Sequence, residues 1–506
     1  MKRVFCQVFF YFSKNCFFLI YVATFFFTFH QIYGSIKITK HKRWCLWQNL
    51  ILGVIGLAKN QKKIDGPIYD ARQLGTGRTV VLGLQHMFAM FGATVLVPLL
   101  TGLSVSATLL FAGLGTLLFH FLTKGKIPAF LGSSFAFLTG YATVKAVCEK
   151  AGIENFAAYA GVGVACAGLI YVILAILFKV FGAKKVMRFF PPIVTGPIII
   201  AIGLILSQSA INNCMGNWWL AIVAILTIII CNIWGKGMIK IIPILLGVVV
   251  SYAVAAVTKQ VDFTAVKEAA WIGLPVAKEN TVFALFGGAN TSVLISSILA
   301  LVPIAIATVI EHIGDICAIS STVDRNYVEE PGLHRTLLGD GLATSLAALF
   351  GAPANTTYGE NTGVLALTKV YDPKVVRLAA YFAILFSFSP KFAALVNSMP
   401  APVVGGVSLV LYGMISAVGV RNVVENKVDF TNSRNVIIAA LILVLSIGIK
   451  FSSVGAIIFK IGSAKIELSG LAVAALVGIL LNAVLPGKDY EFGIDQQGDT
   501  SVNFKV

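Results

Sequence analysis

Charged side chains are scarce in this chain of 506 residues: Asp, Glu, Lys and Arg make up 12% of it, against about 25% in soluble proteins. So few charges cannot clothe an apolar core in water, and a soluble globular fold is excluded. Metal chemistry finds little support either. The six histidines and eight cysteines show no metal or redox spacing, and Cys166, Cys231 and Cys317 fall inside apolar stretches where packing is their expected role. Nor is there a nucleophile–base arrangement or a phosphate-binding loop in a supporting context, so no enzyme activity, metal or cofactor is expected. The net charge of +17 is uneven: residues 1–78 hold twelve Lys and Arg against Asp65 and Asp70, which supplies +10 of it. The remainder is an ordinary excess for a cytoplasmic membrane face, and no nucleic-acid site is read from it.

Apolar length is abundant. Hydrophobic residues make up 58% of the chain and the mean hydropathy is +0.88. From about residue 79 to 485, runs long enough to cross a hydrocarbon core of roughly 30 Å follow one another between short loops. Helices are expected, because backbone groups in lipid must bond within their own segment. The runs are continuously apolar rather than alternating, which disfavours a β-barrel. Fourteen segments are expected. An even number puts both ends on one side, and sixteen Lys and Arg in the loops of that side against nine opposite make it the cytoplasmic one.

Residues 1–77 stand apart as an N-terminal extension. Phe is dense in residues 1–30, but no convincing cleavage site follows. A translation start near Leu57 is favoured, with an extra membrane-associated helix as the alternative.

The fourteen segments divide into two sets of seven. Pro192 to Gly203 of segment five aligns without a gap on Pro402 to Gly413 of segment twelve. Segments three (127–145) and ten (353–369) echo one another through Pro128-Ala129 before Ser134-Phe135 and Pro353-Ala354 before Gly359-Glu360. Seven is odd, so the second copy enters the membrane from the opposite side, as in many secondary transporters. Chance likeness between Gly- and Pro-containing runs is the alternative. Segments three and ten are short and Pro-initiated, and each passes through small or β-prone residues before turning helical. Such paired interrupted segments point to a midplane site for a polar or anionic small molecule, flanked by two half-helices.

Few ionisable groups lie within the spans, and such groups usually mark pathways or proton relays. Glu311 and Asp315 are four residues apart on one helical face. Glu360 falls at the expected start of the half-helix of segment ten. Each has a plainer alternative: a structural hydrogen-bonder for Glu311, a cytoplasmic helix end for Asp315, a helix cap for Glu360. His86 is balanced between the site network and a satisfied core histidine, and His312, off the acidic face, is expected to pack.

Five motifs carry a resemblance from about residue 78 to 485: Gln85-His86, the run Gly125 to Phe137, Glu311-His312-Ile313-Gly314-Asp315, Glu330 to Arg335, and Glu360-Asn361-x-Gly363 followed by Thr368-Lys369. The chain resembles the nucleobase–ascorbate transporter family, and within it the bacterial uracil permeases. The resemblance implies an all-helical, polytopic fold of two inverted seven-segment repeats, with short antiparallel strands in segments three and ten. It also implies a core domain (78–180 and 293–395), a gate domain (190–257 and 400–485) and a cytoplasmic tail (486–506). Substrate-binding residues would be Glu311, Glu360, Phe135, Ser134, Tyr358 and Gly359; proton coupling would involve Glu311, Asp315 and His86. The implied activity is proton-coupled import of uracil, or of another nucleobase such as xanthine or urate, by a homodimer in the inner membrane. Asp315 stands where the best-known uracil permease type has His, which bears on both substrate and proton route.

Overall fold

The computed structural model describes residues 66–182, 185–186, 188–461 and 464–487. The two alternatives for residues 1–56 therefore lie outside the described residues. The described chain is mostly helical. Its first half runs α1 (Thr76–Thr101), α2 (Val105–Leu122), β1 (Leu131–Ser133), α3 (Leu138–Lys150), α4 (Phe156–Phe181), α5 (Pro192–Cys214), α6 (Trp218–Trp234) and α7 (Pro243–Val257). The second runs α8 (Thr291–Leu301), α9 (Ile304–Val323), α10 (Leu333–Leu349), β2 (Asn355–Thr357), α11 (Gly359–Thr368), α12 (Pro373–Ser387), α13 (Pro390–Asn397), α14 (Ala401–Glu425), α15 (Ser433–Lys450), the hairpin β3 (Ala456–Ile461) and β4 (Ala464–Ser469), and α16 (Gly470–Val484).

Local chemistry accounts for many boundaries. Ser104, Asn155, Asn217, Asn290, Asp372 and Ser469 each accept a hydrogen bond from a first-turn amide of the helix they precede, which satisfies donors the helix cannot. Pro opens α5, α7 and α12, where its missing N–H costs nothing.

Among the described residues, seven helical spans are long and apolar enough to cross a membrane, or eight if the bent pair α12–α13 is one span. The expected segment eleven (375–395) is this pair, bent by 88°. The break has a local cause: Ser389 caps the first turn of α13, and Pro390 cannot continue the ladder of α12. The expected segment eight (293–320) is likewise two helices, α8 and α9, meeting at Pro303.

The packing of the two halves maps onto itself when they are exchanged. Helix α2 packs on α12 as α10 packs on α4, and α1 packs on α12 as α8 packs on α4. Helices α6 and α7 pair as α15 and α16 do, while α6 on α14 corresponds to α5 on α15. Across the exchange axis lie the self-corresponding contacts α2–α10, α5–α14 and β1–β2. Close approach at α5–α14 requires glycine: a Cβ on Gly203 would sit 2.3 Å from the Tyr412 carbonyl oxygen, and one on Gly419 2.7 Å from that of Gly196.

At the centre β1 and β2 pair antiparallel, with Leu131 opposite Thr357, Gly132 opposite Thr356 and Ser133 opposite Asn355. Two strands leave edge groups unpaired, and buried backbone must be satisfied. The surrounding helices do this with side chains. The Leu131 amide donates to Thr116 Oγ1 (2.9 Å) and the Ala354 amide to Tyr141 Oη (2.9 Å). Thr344 Oγ1 donates to the Asn355 carbonyl (3.0 Å), and Asn355 Nδ2 reaches the Phe111 carbonyl (3.0 Å).

Candidate functional site

A cavity of about 1870 Å³ lies beside the strand pair. One wall comes from α9, α11 and the segments following the two strands; α5 and α14 form the other, through Ile199, Ile202, Leu411 and Met414. Its mouth carries charged residues from both walls, including Asp324, Arg325, Arg421 and Glu425.

Glu311, Asp315, Phe135, Tyr358, Gly359 and Glu360 all line this cavity. Glu311 is exposed to it and Asp315 half-buried, one helical turn apart on α9. A Cβ built on Gly359 would lie 3.6 Å from Asp315 Oδ1, so that carboxylate faces the start of α11. Glu360 is in the first turn of α11, half-buried. The N-cap residue Tyr358 is extended and makes no side-chain cap bond. The first-turn amides of α11 thus adjoin the cavity with the positive end of the helix dipole.

Tyr358 lines the cavity but is buried, and two other expected site residues, Ser134 and His86, lie off it. The Tyr358 ring is turned away from open space: its hydroxyl donates to the Ser133 carbonyl (2.7 Å), and the ring covers Gly132, where a Cβ would fall 2.5 Å from it. Ser134 is fully buried behind the cavity wall, its amide bonded to the Ala354 carbonyl and its hydroxyl without a hydrogen-bond partner among the described residues. His86 is also fully buried, and Asn361 Nδ2 donates to both its Nδ1 (3.1 Å) and its carbonyl oxygen (3.0 Å). Neither Ser134 nor His86 lines the cavity.

One buried acid escaped the sequence reading. Asp340 of α10 has no exposure, and its Oδ2 lies 2.9 Å from Nδ1 of His312, which is also within 2.7 Å of Thr357 Oγ1. The His312–Asp340 pair joins α9 to α10, and the contact with Thr357 joins α9 to β2, next to Glu311 in the chain. The signal was available: Asp340 is an acid within the expected segment nine (336–351), flanked by Gly339 and Gly341.

The second half thus brings three carboxylates and a row of amides to one cavity, and the first half brings Phe135. A family model described as Permease family matches residues 77–455. The chain belongs to this family.

Curated relatives agree over nearly their whole length. The permease is 42% identical over 432 residues to the uracil permease of Bacillus caldolyticus, covering 83% of this chain and 95% of that one. It is 40% identical over 435 residues to the uracil permease of Bacillus subtilis (strain 168), with 83% and 94% covered. A putative pyrimidine permease of Escherichia coli (strain K12) is 36% identical over 440 residues, with 85% and 94% covered. Among solved structures, the transmembrane domain of a cyanobacterial bicarbonate transporter superposes with a TM-score of 0.54 at 14% identity, covering 82% of this chain and 98% of that one. SLC26A9 superposes with a TM-score of 0.55 at 13% identity, covering 87% and 69%. At such low identity these two establish the fold alone. The permease is a multi-pass membrane transporter and not an enzyme.

Proposed function

We propose that this permease imports uracil, or a closely related nucleobase, together with protons. The observation that carries the proposal is the meeting of Glu311 and Glu360, from different elements, on one cavity wall beside the uncapped start of α11. Uracil presents two ring N–H donors and two carbonyl acceptors. Carboxylates complement the donors, and the amide of Gly359 with its neighbours complements an acceptor. Phe135 supplies an apolar face for the ring. Asp315 is the added acid on the Glu311 face, and protonation of Glu311 or Asp315 favours loading from outside while proton loss inside promotes release. His86 and Ser134 act from behind the wall.

In this proposal the chain makes fourteen membrane segments, with β1–α3 and β2–α11 as the two interrupted ones. The exchange symmetry of the packing supports two repeats of inverted orientation. Core elements α1–α4 and α8–α13 rock against a gate of α5–α7 and α14–α16, which also carries the homodimer contact within the lipid of the inner membrane. Both chain ends face the cytoplasm.

The test is uptake of radiolabelled uracil into cells, with and without a proton uncoupler, with xanthine and urate as competitors. Saturable uptake abolished by the uncoupler is expected. Preferential competition by xanthine or urate would reassign the substrate to a purine, in keeping with Asp315. Sulfate or bicarbonate flux without nucleobase uptake would defeat the proposal; acidic groups at the site oppose that outcome, because they repel inorganic anions unless protonated.

A further inference from the structure

The segment immediately before α1 is fastened to both helices that carry the site acids. Ile68 forms a parallel bridge to Val370: its amide donates to the Lys369 carbonyl (2.8 Å), and its carbonyl accepts from the Tyr371 amide (2.8 Å). Lys369 is the left-handed C-cap of α11, so this bridge holds the end of the helix that starts with Glu360. One residue on, the Tyr69 hydroxyl donates to the Val323 carbonyl (2.8 Å), the last residue of α9. The Tyr69 ring lies beneath the Arg325 guanidinium (4.3 Å) and edge-on to Tyr371 (5.5 Å). The Ala71 amide then donates to Asp372 Oδ2 (2.8 Å). Ile68, Ala71 and Leu74 are buried against Leu82, Val370 and Val375.

The attachment has mechanical force because α11 is short. It has ten residues and packs on α1, α9 and the one-turn helix Met238–Ile241. Glu311 lies roughly 18 Å along α9 from the Tyr69 bond, and Glu360 roughly 14 Å along α11 from the Ile68 bridge, at 1.5 Å per residue. Over such lengths a helix moves as a rod. A slip at the fastened ends therefore becomes a slip between the two acids, which must meet a single ligand.

We infer that residues 68–74 form a clamp that sets the position of Glu360 against Glu311, with Ile68, Tyr69 and Asp372 as its positioning residues. None of them touches the cavity's substrate region. Within the segment, hydrogen bonds from the side chain and amide of Arg72 bring the Asp70 carboxyl down to about 2. The role in transport rests on the nucleobase proposal above; the fastening itself does not.

Two measurements separate these. In uptake assays normalised to the protein present in the membrane, Tyr69→Ala is expected to raise the apparent KM for uracil about tenfold and Tyr69→Phe about threefold, as loss of several contacts or of one hydrogen bond dictates. The maximal rate per molecule should change less than KM, because the misplaced acids meet substrate poorly but the moving domains are intact. Hydrogen exchange, which needs no substrate, should show faster exchange at the ends of α9 and α11 in Ile68→Pro, with α5 and α14 unchanged. Unchanged KM in both Tyr69 variants overturns the positioning role, and if Tyr69→Ala fails to insert, Tyr69→Phe alone decides. Unchanged exchange in Ile68→Pro overturns the clamp. A wild-type protein that takes up no nucleobase defeats the substrate assignment, and the exchange measurement still decides the clamp.

Discussion

The two strand-to-helix junctions occupy corresponding places in the two halves, yet they differ in chemistry. After β2 the helix begins within two residues, and Glu360 falls in its first turn beside the cavity. After β1 four residues intervene before α3, and the cavity receives Phe135, with no acid in the first turn of the helix. The repeated architecture builds the frame twice, while charge is delivered once. One junction offers an acid and amides, the other an aromatic face. The proposed ligand, a flat, polar-edged ring, would use both.

This contrast can be broken from either side. The largest effect is expected at the charged junction: Glu360→Gln should lower uracil uptake on the order of a hundredfold with normal insertion, since it removes the charge and puts an NH2 donor where a carboxylate oxygen accepted. Phe135→Ala at the other junction should cost only about tenfold in apparent KM, the scale of lost ring packing. Equal losses in uptake assays would mean that the two junctions share the work. The next effect concerns the strands themselves. Gly132→Ala drives a methyl into the Tyr358 ring and should cost about 1–3 kcal/mol, seen as a lower melting temperature in detergent. The opposed residue Thr356 already carries a side chain, so Thr356→Val should shift it little. The smallest effect is the difference between two threonines. Thr116→Val orphans the Leu131 amide, at about 1–3 kcal/mol, whereas Thr344→Val removes a donor from a carbonyl with a second lone pair, at about 0.5–1.5 kcal/mol. Thermal unfolding that ranks Thr344→Val above Thr116→Val would show that the second junction carries more of the fold.

Much of this was legible in sequence, for identifiable reasons. Apolar runs, capping residues and prolines act over a few positions, so spans such as Thr76–Thr101 and Pro192–Cys214 could be expected from their own residues. Glu311, Asp315 and Glu360 stood out because acids are costly in such runs, and all three line the cavity. What escaped depends on partners distant in the chain. The His312–Asp340 pair, the Tyr69–Val323 bond and the burial of His86 against Asn361 join residues whose proximity only the folded packing decides. The break at Ser389-Pro390 was local and readable, but continuous hydrophobicity across it masked the turn.

That break has a consequence for the surrounding lipid. Helix α12 has fifteen residues and ends where α13 turns away by 88°, which gives it a length of roughly 22 Å at 1.5 Å per residue. Helix α1, packed beside it, has twenty-six residues and a length of roughly 39 Å. Tyr381 and Leu385 of α12 are exposed on the flank that lipid must cover. A hydrocarbon core of roughly 30 Å is thicker than α12 is long, so tilt, local thinning or the turn into α13 makes up the difference. The bent pair α12–α13 is therefore the place where a change in bilayer thickness would bear on the permease.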